Sequence, residues 1–351
     1  MGIFVSMRVI YIGNKLSKTG GINPTSIETL GVQLKDIGCE MKYSSSVKNQ
    51  FMRWLDMAFA IIRFRRWAQI VLIDTYSSKA FFFAWLVARL CYFFKIPYFP
   101  ILRGGNLKER INSSPKLCDH VFSNSYMNIG VSQFLKSTFE EKGYSFQMIP
   151  NNIPVQEYEF HKRKHCSPQI LWVRSMNQVY NPLMALDILK LVREEFPDAT
   201  LAMVGPDKDG SLGEFNAYAK TLGLNDAAWT TGGKSKKEWR EYSKEFSIFL
   251  STTNIDNTPI SVIEAMALGL PVVSTNVGGV PFIIQNGENG LLYSAKNPQE
   301  GAKAILSILK NDQLAESLSE NGRKTVEAWD WEVVKFQWKS LFESAIQKST
   351  S

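Results

Sequence analysis

Two carboxylates, Asp256 and Glu264, are separated by seven residues where a polar loop leads into a predicted helix. Apolar residues at helical spacing predict that helix over 261–268, and Gly269 and Pro271 end it. The first N–H groups of a helix lack partners within the helix and carry the positive end of its dipole, so they favour a phosphate. Glu264 lies about one turn further along and can reach a group attached to that phosphate, such as a ribose. The two acids and the loop therefore predict a nucleotide site.

Glu264 also has a purely structural interpretation. A solvated carboxylate in the first turn of a helix is stabilised by the helix dipole alone, and glycines often mark ordinary turns. A nucleotide site is favoured because several features occur in one stretch. They are the two acids, the Gly-Leu-Pro turn at 269–271, the Gly-Gly pair at 278–279 and the Asn-Gly pair at 286–287.

These motifs resemble the donor site of the family-4 retaining glycosyltransferases, which have the GT-B fold. The matching residues are Asp256, Glu264-Ala-Met-Ala-Leu-Gly-Leu-Pro-Val-Val, Gly278-Gly279-Val280-Pro281 and Asn286-Gly287-Glu288-Asn289-Gly290-Leu291-Leu292. The family signature has two glutamates with seven residues between them, whereas the first acid here is the shorter aspartate. The resemblance implies a metal-independent sugar transfer in which a nucleotide-diphosphate sugar is the substrate and no cofactor takes part.

The same resemblance implies roles for residues outside this stretch. In the family, an Arg after the first strand of the second domain and a Lys six positions later neutralise the donor diphosphate; here these positions hold Arg174 and Tyr180. The Gly-Gly loop that faces the donor phosphates in the family corresponds to Gly20 and Gly21, for which a flexible connector is the alternative interpretation. The implied catalytic residues are Arg174, Asp256 and Glu264. The implied donor-binding residues are Gly20, Gly21, Arg174, Tyr180, Asp256, Asn257, Thr258, Pro259, Ile260, Ser261 and Glu264.

Predicted strands and helices alternate in both halves of this 351-residue chain, which favours two doubly wound α/β domains facing a cleft, as in GT-B. We predict an N-terminal Rossmann-like acceptor domain over 1–155, a polar linker over 156–168 and a Rossmann-like donor domain over 169–328. The C-terminal helix over 329–351 is expected to pack back on the first domain, as in the resembled fold.

Within the first domain, the pattern of residues predicts a strand at 121–125, with His120 beside it, and a helix at 128–142. Many family-4 relatives carry a His in the loop after an earlier strand, close to the transferred sugar. This chain has Arg103 in that loop, so assistance from an imidazole there is not expected.

The charge of the chain is uneven. Residues 1–166 hold 22 Lys and Arg against 11 Asp and Glu, whereas residues 167–351 hold 18 against 22. Such a basic half favours an anionic partner, either a nucleic acid or a membrane surface. No zinc-finger, KH or RRM signature is present in the sequence, so we expect no nucleic-acid partner and favour the membrane.

A predicted helix at 47–68 is apolar on more than one side. The face that suits packing on a sheet consists of Phe51, Trp54, Leu55, Ala58 and Ile62. The opposite face consists of Arg53, Met57, Arg63, Phe64 and Trp67, followed by Arg65 and Arg66. Interleaved arginines and rings suit an anionic membrane surface. A helix buried between domains or subunits, with arginines extended toward water, is the alternative.

The remaining residues favour a cytoplasmic protein without a metal. The four cysteines lie far apart and predict free thiols in a reducing compartment, and the N-terminus shows no signal peptide. His161, His165 and Cys166 are conceivable metal ligands, but the polar composition around them favours a linker. Asp207 and Asp209 resemble a metal-binding Asp-x-Asp, yet their Gly-Pro surroundings indicate a turn.

We therefore expect a retaining, hexosyltransferase-type enzyme of cell-surface polysaccharide synthesis. Its acceptor would be a glycan or lipid-linked glycan, and it would act in the cytoplasm, peripherally on the inner face of the cell membrane. Two alternatives share the donor site: a non-catalytic homologue that binds a nucleotide sugar, suggested by Tyr180 and Asp256, and a nucleotide-sugar epimerase. A basic protein that binds nucleic acid is the third alternative.

Overall fold

The computed structural model describes residues 6–15, 25–104 and 106–350, and the chain divides into two units. Unit 1 comprises Met1–Asn151 and Trp331–Ser351, and unit 2 comprises Asn152–Asp330. No helix among the described residues is long and apolar enough to cross a membrane.

In unit 1 the strands are β1 (Met7–Ile12), β2 (Cys39–Ser44), β3 (Ile70–Thr75), β4 (Tyr98–Leu102), β5 (Ile129–Gly130) and β6 (Gln147–Met148). The helices are α1 (Ser26–Asp36), α2 (Gln50–Phe64), α3 (Phe81–Phe93), α4 (Leu107–Ser113), α5 (Pro115–Phe122) and α6 (Lys136–Glu141). All strand pairs are parallel, in the order β2-β1-β3-β4-β5-β6. The central strand β3 is buried along its whole length, as expected for a parallel strand covered on both faces.

In unit 2 the strands are β7 (Gln169–Val173), β8 (Thr200–Val204), β9 (Ala228–Thr230), β10 (Ile248–Ser251), β11 (Val272–Thr275) and β12 (Leu291–Tyr293). The helices are α7 (Pro182–Arg193), α8 (Ser211–Thr221), α9 (Lys236–Tyr242), α10 (Ile260–Ala267), α11 (Pro298–Leu309) and α12 (Asp312–Glu327). The parallel sheet has the order β12-β11-β10-β7-β8-β9, which is the Rossmann order.

The last helix, α13 (Trp331–Thr350), belongs to unit 1 and covers one face of its sheet. Trp338 and Phe342 are buried in a core that also contains residues of β1, β3 and β4. The rings of Phe342 and Phe99 lie 5.8 Å apart between centroids. The other face of the sheet is covered by α2, α3 and α5, so the two faces have separate apolar cores.

The range 156–168, which we expected to be a linker, packs inside unit 2. Tyr158 and Cys166 are buried there. The buried guanidinium of Arg163 donates to the backbone carbonyls of Leu268 at 2.9 Å and Phe246 at 3.2 Å. The polar composition misled the prediction because these polar side chains find partners within the unit.

Two further predictions in unit 1 are wrong in element type. Val121 and Phe122, expected in a strand, are the last residues of α5, which begins with Pro115 at its first turn and also carries His120. The helix predicted at 128–142 is divided into β5, a short 3-10 turn capped by Ser132, and α6. At 129–130 the pairing of β5 with β4 and β6 outweighed helical propensity.

The orientation predicted for α2 is also wrong. Its buried residues are Met57 and Ile61, with Trp54 and Phe64 partly buried beside them. The predicted inner face is largely exposed at Phe51, Leu55 and Ile62. Because α2 is apolar on both sides, helical periodicity alone could not distinguish the face that meets the sheet.

Candidate functional site

The carboxyl ends of β7 and β10 lie side by side where the winding of unit 2 reverses. These strands are neighbours, but the chain continues from β7 to β8 on one side of the sheet and from β10 to β11 on the other. Ligands of open α/β sheets bind outside the carboxyl ends of strands at such a switch point. Arg174 directly follows β7, and the loop that contains Asp256 follows β10, so the fold brings these predicted site residues together.

Two glycines hold the backbone of these residues in position. A side chain at Gly205 would begin 1.7 Å from the carbonyl oxygen of Arg174. Gly278 has a φ of +52°, and a side chain there would begin 2.1 Å from the carbonyl oxygen of Asp256. That same oxygen accepts a hydrogen bond of 2.9 Å from the N–H of Gly279. The Gly-Gly pair noted in the sequence therefore supports the Asp256 loop by close backbone contact.

Arg174 contacts both Asp256 and Tyr180. The Arg174 guanidinium donates a hydrogen bond to the Asp256 carboxylate and lies 4.7 Å from the centroid of the Tyr180 ring. Burial lowers the pKa of Arg174, and the nearby Tyr180 and Glu264 oppose that effect. A desolvated guanidinium favours the approach of an additional anion. Tyr180, where a Lys was expected from the resemblance, thus supports the cation by a ring contact.

Two polar atoms of this region are buried without a hydrogen-bond partner among the described residues. They are Nε of Arg174 and Oγ1 of Thr258. The helix α10 starts just beyond, with Pro259 at its N-cap and no side chain capping its first N–H groups. Buried polar atoms ordinarily have partners, so these donors are suited to an anionic ligand.

Glu264 is a buried carboxylate on α10, with 5% of its surface exposed. Its Oε1 accepts hydrogen bonds from the Tyr158 hydroxyl at 2.6 Å and from Lys236 Nζ at 2.8 Å. Burial, together with the charge of Glu264, raises the pKa of Tyr158, so the phenol stays protonated as a donor. A carboxylate has about four acceptor positions, which leaves Glu264 capacity for ligand hydroxyls.

Tyr158 and Lys236 were not predicted as site residues from the sequence. Tyr158 fell in the range expected to be a linker. Lys236 is the first residue of α9, whose N-terminus has a capping box formed by Ser235 and Glu238. That Ser-x-x-Glu pattern was present in the sequence and could have located the start of this helix. The proximity of Lys236 to Glu264, which is 28 positions further along the chain, depends on the fold.

The other predicted donor residues are distributed as follows. Asn257 and Ser261 are buried, and Ile260 is the first residue of α10. Gly20 and Gly21 lie outside the described residues.

Unit 1 has a buried polar cluster of its own at the carboxyl ends of β1, β3 and β4. Asp74 accepts a hydrogen bond of 3.0 Å from the Tyr11 hydroxyl and forms an ion pair of 3.2 Å with Arg103. Arg103 also donates to Asn151 Oδ1 at 2.6 Å. Burial raises the pKa of Asp74, and Arg103 and Tyr11 lower it. A fixed guanidinium therefore occupies the loop in which many family-4 relatives have a His.

No group of three or more His, Cys, Asp or Glu side chains that could hold a metal ion is found in residues 6–15, 25–104 and 106–350. His161 pairs with Glu159, and His165 pairs with Asp312. Each of these two imidazoles therefore lies beside a carboxylate. The cluster around Arg174, Lys236 and Glu264 has the chemistry of an anion and hydroxyl site, as a nucleotide requires.

Comparison with known sequences gives a family assignment for unit 2. Residues 156–325 match the sequence profile of Glycosyl transferases group 1. Spore coat protein SA of Bacillus subtilis is 29% identical over 189 residues, which cover 51% of this chain and 49% of that protein. A phosphatidyl-myo-inositol mannosyltransferase of Mycobacterium tuberculosis is 27% identical over 210 residues, covering 56% and 53%. This chain spans about half the length, or less, of the curated relatives it matches.

Solved structures resemble nearly the whole chain. Sucrose-phosphate synthase from Thermosynechococcus elongatus aligns with a TM-score of 0.80 at 14% identity, covering 97% of this chain and 100% of that chain. Anabaena HepE in complex with UDP and glucose aligns with a TM-score of 0.74 at 15% identity, covering 96% and 100%. At these identities the similarity establishes the fold. The predicted GT-B class, with two Rossmann-like domains, is confirmed.

Proposed function

We propose that this chain, whose residues 156–325 match the sequence profile of Glycosyl transferases group 1, transfers a sugar from a nucleotide-diphosphate sugar to a glycan or lipid-linked glycan. One observation carries the proposal. Arg174, Asp256, Lys236 and Glu264 meet at the switch point of the Rossmann sheet in unit 2, where cations and a buried carboxylate can bind a diphosphate and its ribose.

Each of these side chains has a distinct part in the proposal. Glu264, fixed by Tyr158, accepts hydrogen bonds from the ribose hydroxyls. Arg174 and Lys236 neutralise the diphosphate, and Lys236 supplies the second cation that the sequence lacks at Tyr180. Asp256 and the backbone around 258–261 hold the sugar hydroxyls. UDP is the first nucleotide to test, because Anabaena HepE was crystallised with UDP and glucose.

We propose a metal-independent reaction that retains the configuration of the anomeric carbon, on the basis of the acid signature and its resemblance to family 4. The bond between the anomeric carbon and the phosphate oxygen breaks, and the acceptor oxygen bonds to the same face of that carbon. The acceptor proton passes to the departing diphosphate. Arg174 and Lys236 stabilise the negative charge that develops on this leaving group, which is the kind of interaction that contributes most to catalysis.

The acceptor and the location complete the proposal. A relative is named for a lipid, phosphatidyl-myo-inositol, and another for the spore coat. Together with the basic first half of the chain, these names support a lipid-linked acceptor and a role in cell-surface polysaccharide synthesis. The enzyme would work in the cytoplasm on the inner face of the cell membrane, as a peripheral protein.

Thermal unfolding against a panel of nucleotide sugars tests the donor site. A ligand at 100 times its dissociation constant adds about 2.7 kcal/mol to the free energy of unfolding, enough for a visible rise in Tm. We expect a rise with one donor that is lost in Glu264→Ala and kept in Glu195→Ala. Glu195 is a suitable control because it forms a surface ion pair with Lys310 in the same unit. No rise with any donor would contradict the proposal.

A non-catalytic homologue is the second candidate, because Asp256 neutralises Arg174 and Tyr180 is not a cation. Donor binding without sugar transfer to any glycan or lipid-linked acceptor would favour it. Conversion of the bound donor to an epimer without an acceptor would favour an epimerase.

A further inference from the structure

Helix α2 presents a continuous apolar surface to solvent. Its residues recur at intervals of one, three and four along the helix and therefore share one face. We name this surface the α2 stripe, and it consists of Phe51, Met52, Leu55, Phe59 and Ile62. Phe51 is 63% exposed and Phe59 is 58% exposed. A contiguous apolar surface of this kind on a helix indicates an interaction site.

The apolar surface extends to the neighbouring helix α3. Phe82 is exposed at its start, and its ring centroid lies 6.2 Å from that of Trp54 on α2. At the other end, Phe93 is 75% exposed, and the Arg65 guanidinium lies 5.5 Å from the centroid of the adjoining Phe94 ring. The exposed apolar side chains thus cover two adjacent helices of one unit.

Basic residues surround this surface. Residues 46–95 contain eight Lys and Arg against two acids, Asp56 and Asp74. Asp74 is buried against Arg103, whereas Asp56 is exposed and accepts a hydrogen bond of 2.7 Å from the Ser44 hydroxyl, so one uncompensated acid stands among these basic residues. The surroundings of the α2 stripe are therefore positive, and the matching partner is anionic.

The arginines differ in their availability. Arg53, which we expected among the outward cations, bonds to Asn14 Oδ1 at 2.9 Å and to the Lys48 carbonyl at 2.8 Å. It is therefore part of the fold. Arg63, Arg65 and Arg66, at the C-terminal end of α2, are exposed, and Arg65 donates one hydrogen bond of 2.6 Å to the Ile62 carbonyl. They form the cationic end of the stripe.

A second copy of the chain is a poor occupant, because a symmetric pairing of α2 helices would bring two cationic surroundings together. A lipid surface satisfies both features, since its interior accepts the apolar side chains and its headgroup phosphates pair with guanidinium groups. A flat bilayer also needs no complementary shape across two helices.

We propose that the α2 stripe inserts into the interfacial layer of an anionic phospholipid membrane, with Arg63, Arg65 and Arg66 paired to lipid phosphates. The proposal extends the proposed function, in which the acceptor is lipid-linked. It concerns unit 1, whereas the donor residues belong to unit 2, so vesicle binding and nucleotide binding can fail separately.

Co-sedimentation of the full chain with vesicles tests the proposal. We expect binding to equimolar phosphatidylglycerol and phosphatidylcholine, and little to phosphatidylcholine alone. The variant Phe51→Ser/Leu55→Ser/Phe59→Ser/Ile62→Ser and the variant Arg63→Glu/Arg65→Glu/Arg66→Glu should each lose about tenfold or more in partition coefficient. The matched control is Val333→Ser/Phe336→Ser, which removes exposed apolar residues of α13 in the same unit and should bind like wild type. Circular dichroism and an unchanged Tm rise with the donor would show that each variant is folded.

A tryptophan in the stripe reports insertion independently. Phe59→Trp should shift its emission to the blue with the anionic vesicles and be quenched by brominated lipid chains, whereas Phe336→Trp should not. Three results would overturn the proposal. The serine variant pellets as well as wild type, or wild type fails to bind anionic vesicles, or wild type is a dimer that the serine variant makes monomeric without a change in vesicle binding. The last result would identify the stripe as an interface between copies.

Discussion

Lys236 offers the sharpest test of the proposal that this site binds a diphosphate. Its ammonium group lies 2.8 Å from Glu264 Oε1, and its side chain is 40% exposed, so an incoming phosphate can reach it. Replacing it by Met keeps the length of the side chain and removes the charge. A charge-assisted hydrogen bond contributes about 1.5–3 kcal/mol. We therefore expect the Kd for UDP to rise about ten- to a hundredfold in Lys236→Met.

The comparison of UDP with uridine identifies the cause. If Lys236 binds phosphate, the loss should be confined to UDP, because uridine has no phosphate and uses Glu264 alone. Isothermal titration of both ligands measures this difference. Lys237→Met is the matched control, since Lys237 is the next residue of α9 and is exposed.

Two results would refute the reasoning about Lys236. One is a Kd for UDP within twofold of wild type, which would mean that the ammonium group serves only to neutralise Glu264. The other is an equal loss for uridine and UDP, which would assign the effect to a displaced Glu264. The double variant with Glu264→Gln measures the coupling between the two side chains directly.

Three further predictions concern residues that stabilise the two units. Gly278→Ala should lower the free energy of unfolding by about 1–3 kcal/mol and weaken donor binding, because its side chain would clash with the Asp256 carbonyl. The control is Gly287→Ala, at a φ of +83° in open space, which should affect only stability. Denaturant unfolding measures the stability, and titration measures the donor binding. Arg163→Met should cost about 1–3 kcal/mol in urea unfolding, because the buried carbonyls of Leu268 and Phe246 lose their donor. The Kd for UDP should be unchanged in the protein that remains folded. Burial raises the pKa of Asp74 above its ordinary 3.8, so between the unfolded and folded pKa values the folded state holds a proton that the unfolded state has lost. The stability contributed by this residue therefore falls as pH rises through that interval. The difference in unfolding free energy between wild type and Asp74→Asn should decline above pH 3.8 and then level off.

The loop and helix over 256–264 could be located from the sequence because their signals are local. Asp256, the start of α10 and Glu264 all lie within nine consecutive residues, and the turn glycines follow shortly after. The position where a helix starts determines the direction of its first N–H groups. It also determines on which face of the helix a residue one turn later lies. The fold class was accessible for a related reason, since apolar runs that alternate with amphipathic helices lead to parallel sheets covered on both faces.

The hydrogen-bond partners of Glu264 could not be predicted in this way. Tyr158 reaches it across 106 positions and Lys236 across 28, and neither lies in a motif that marks a ligand site. Both residues lie beside Glu264 because β7 and β10 are adjacent in the sheet and the segments around these strands pack against α10. The resemblance to family 4 indicated that a cation is missing at Tyr180. Only the fold could show that another lysine, Lys236, lies beside Glu264.

The failure to orient α2 and the proposal for its outer surface have one physical origin. A helix with one apolar face has a unique way to pack, and its sequence states which side is inside. In α2 the residues that meet the sheet, Met57 and Ile61, and those of the α2 stripe are equally apolar, so periodicity gives two solutions. Only one face can meet the sheet of unit 1. The second face is apolar without a packing reason within that unit, and an anionic bilayer that covers it would explain both its exposed rings and the arginines beside them.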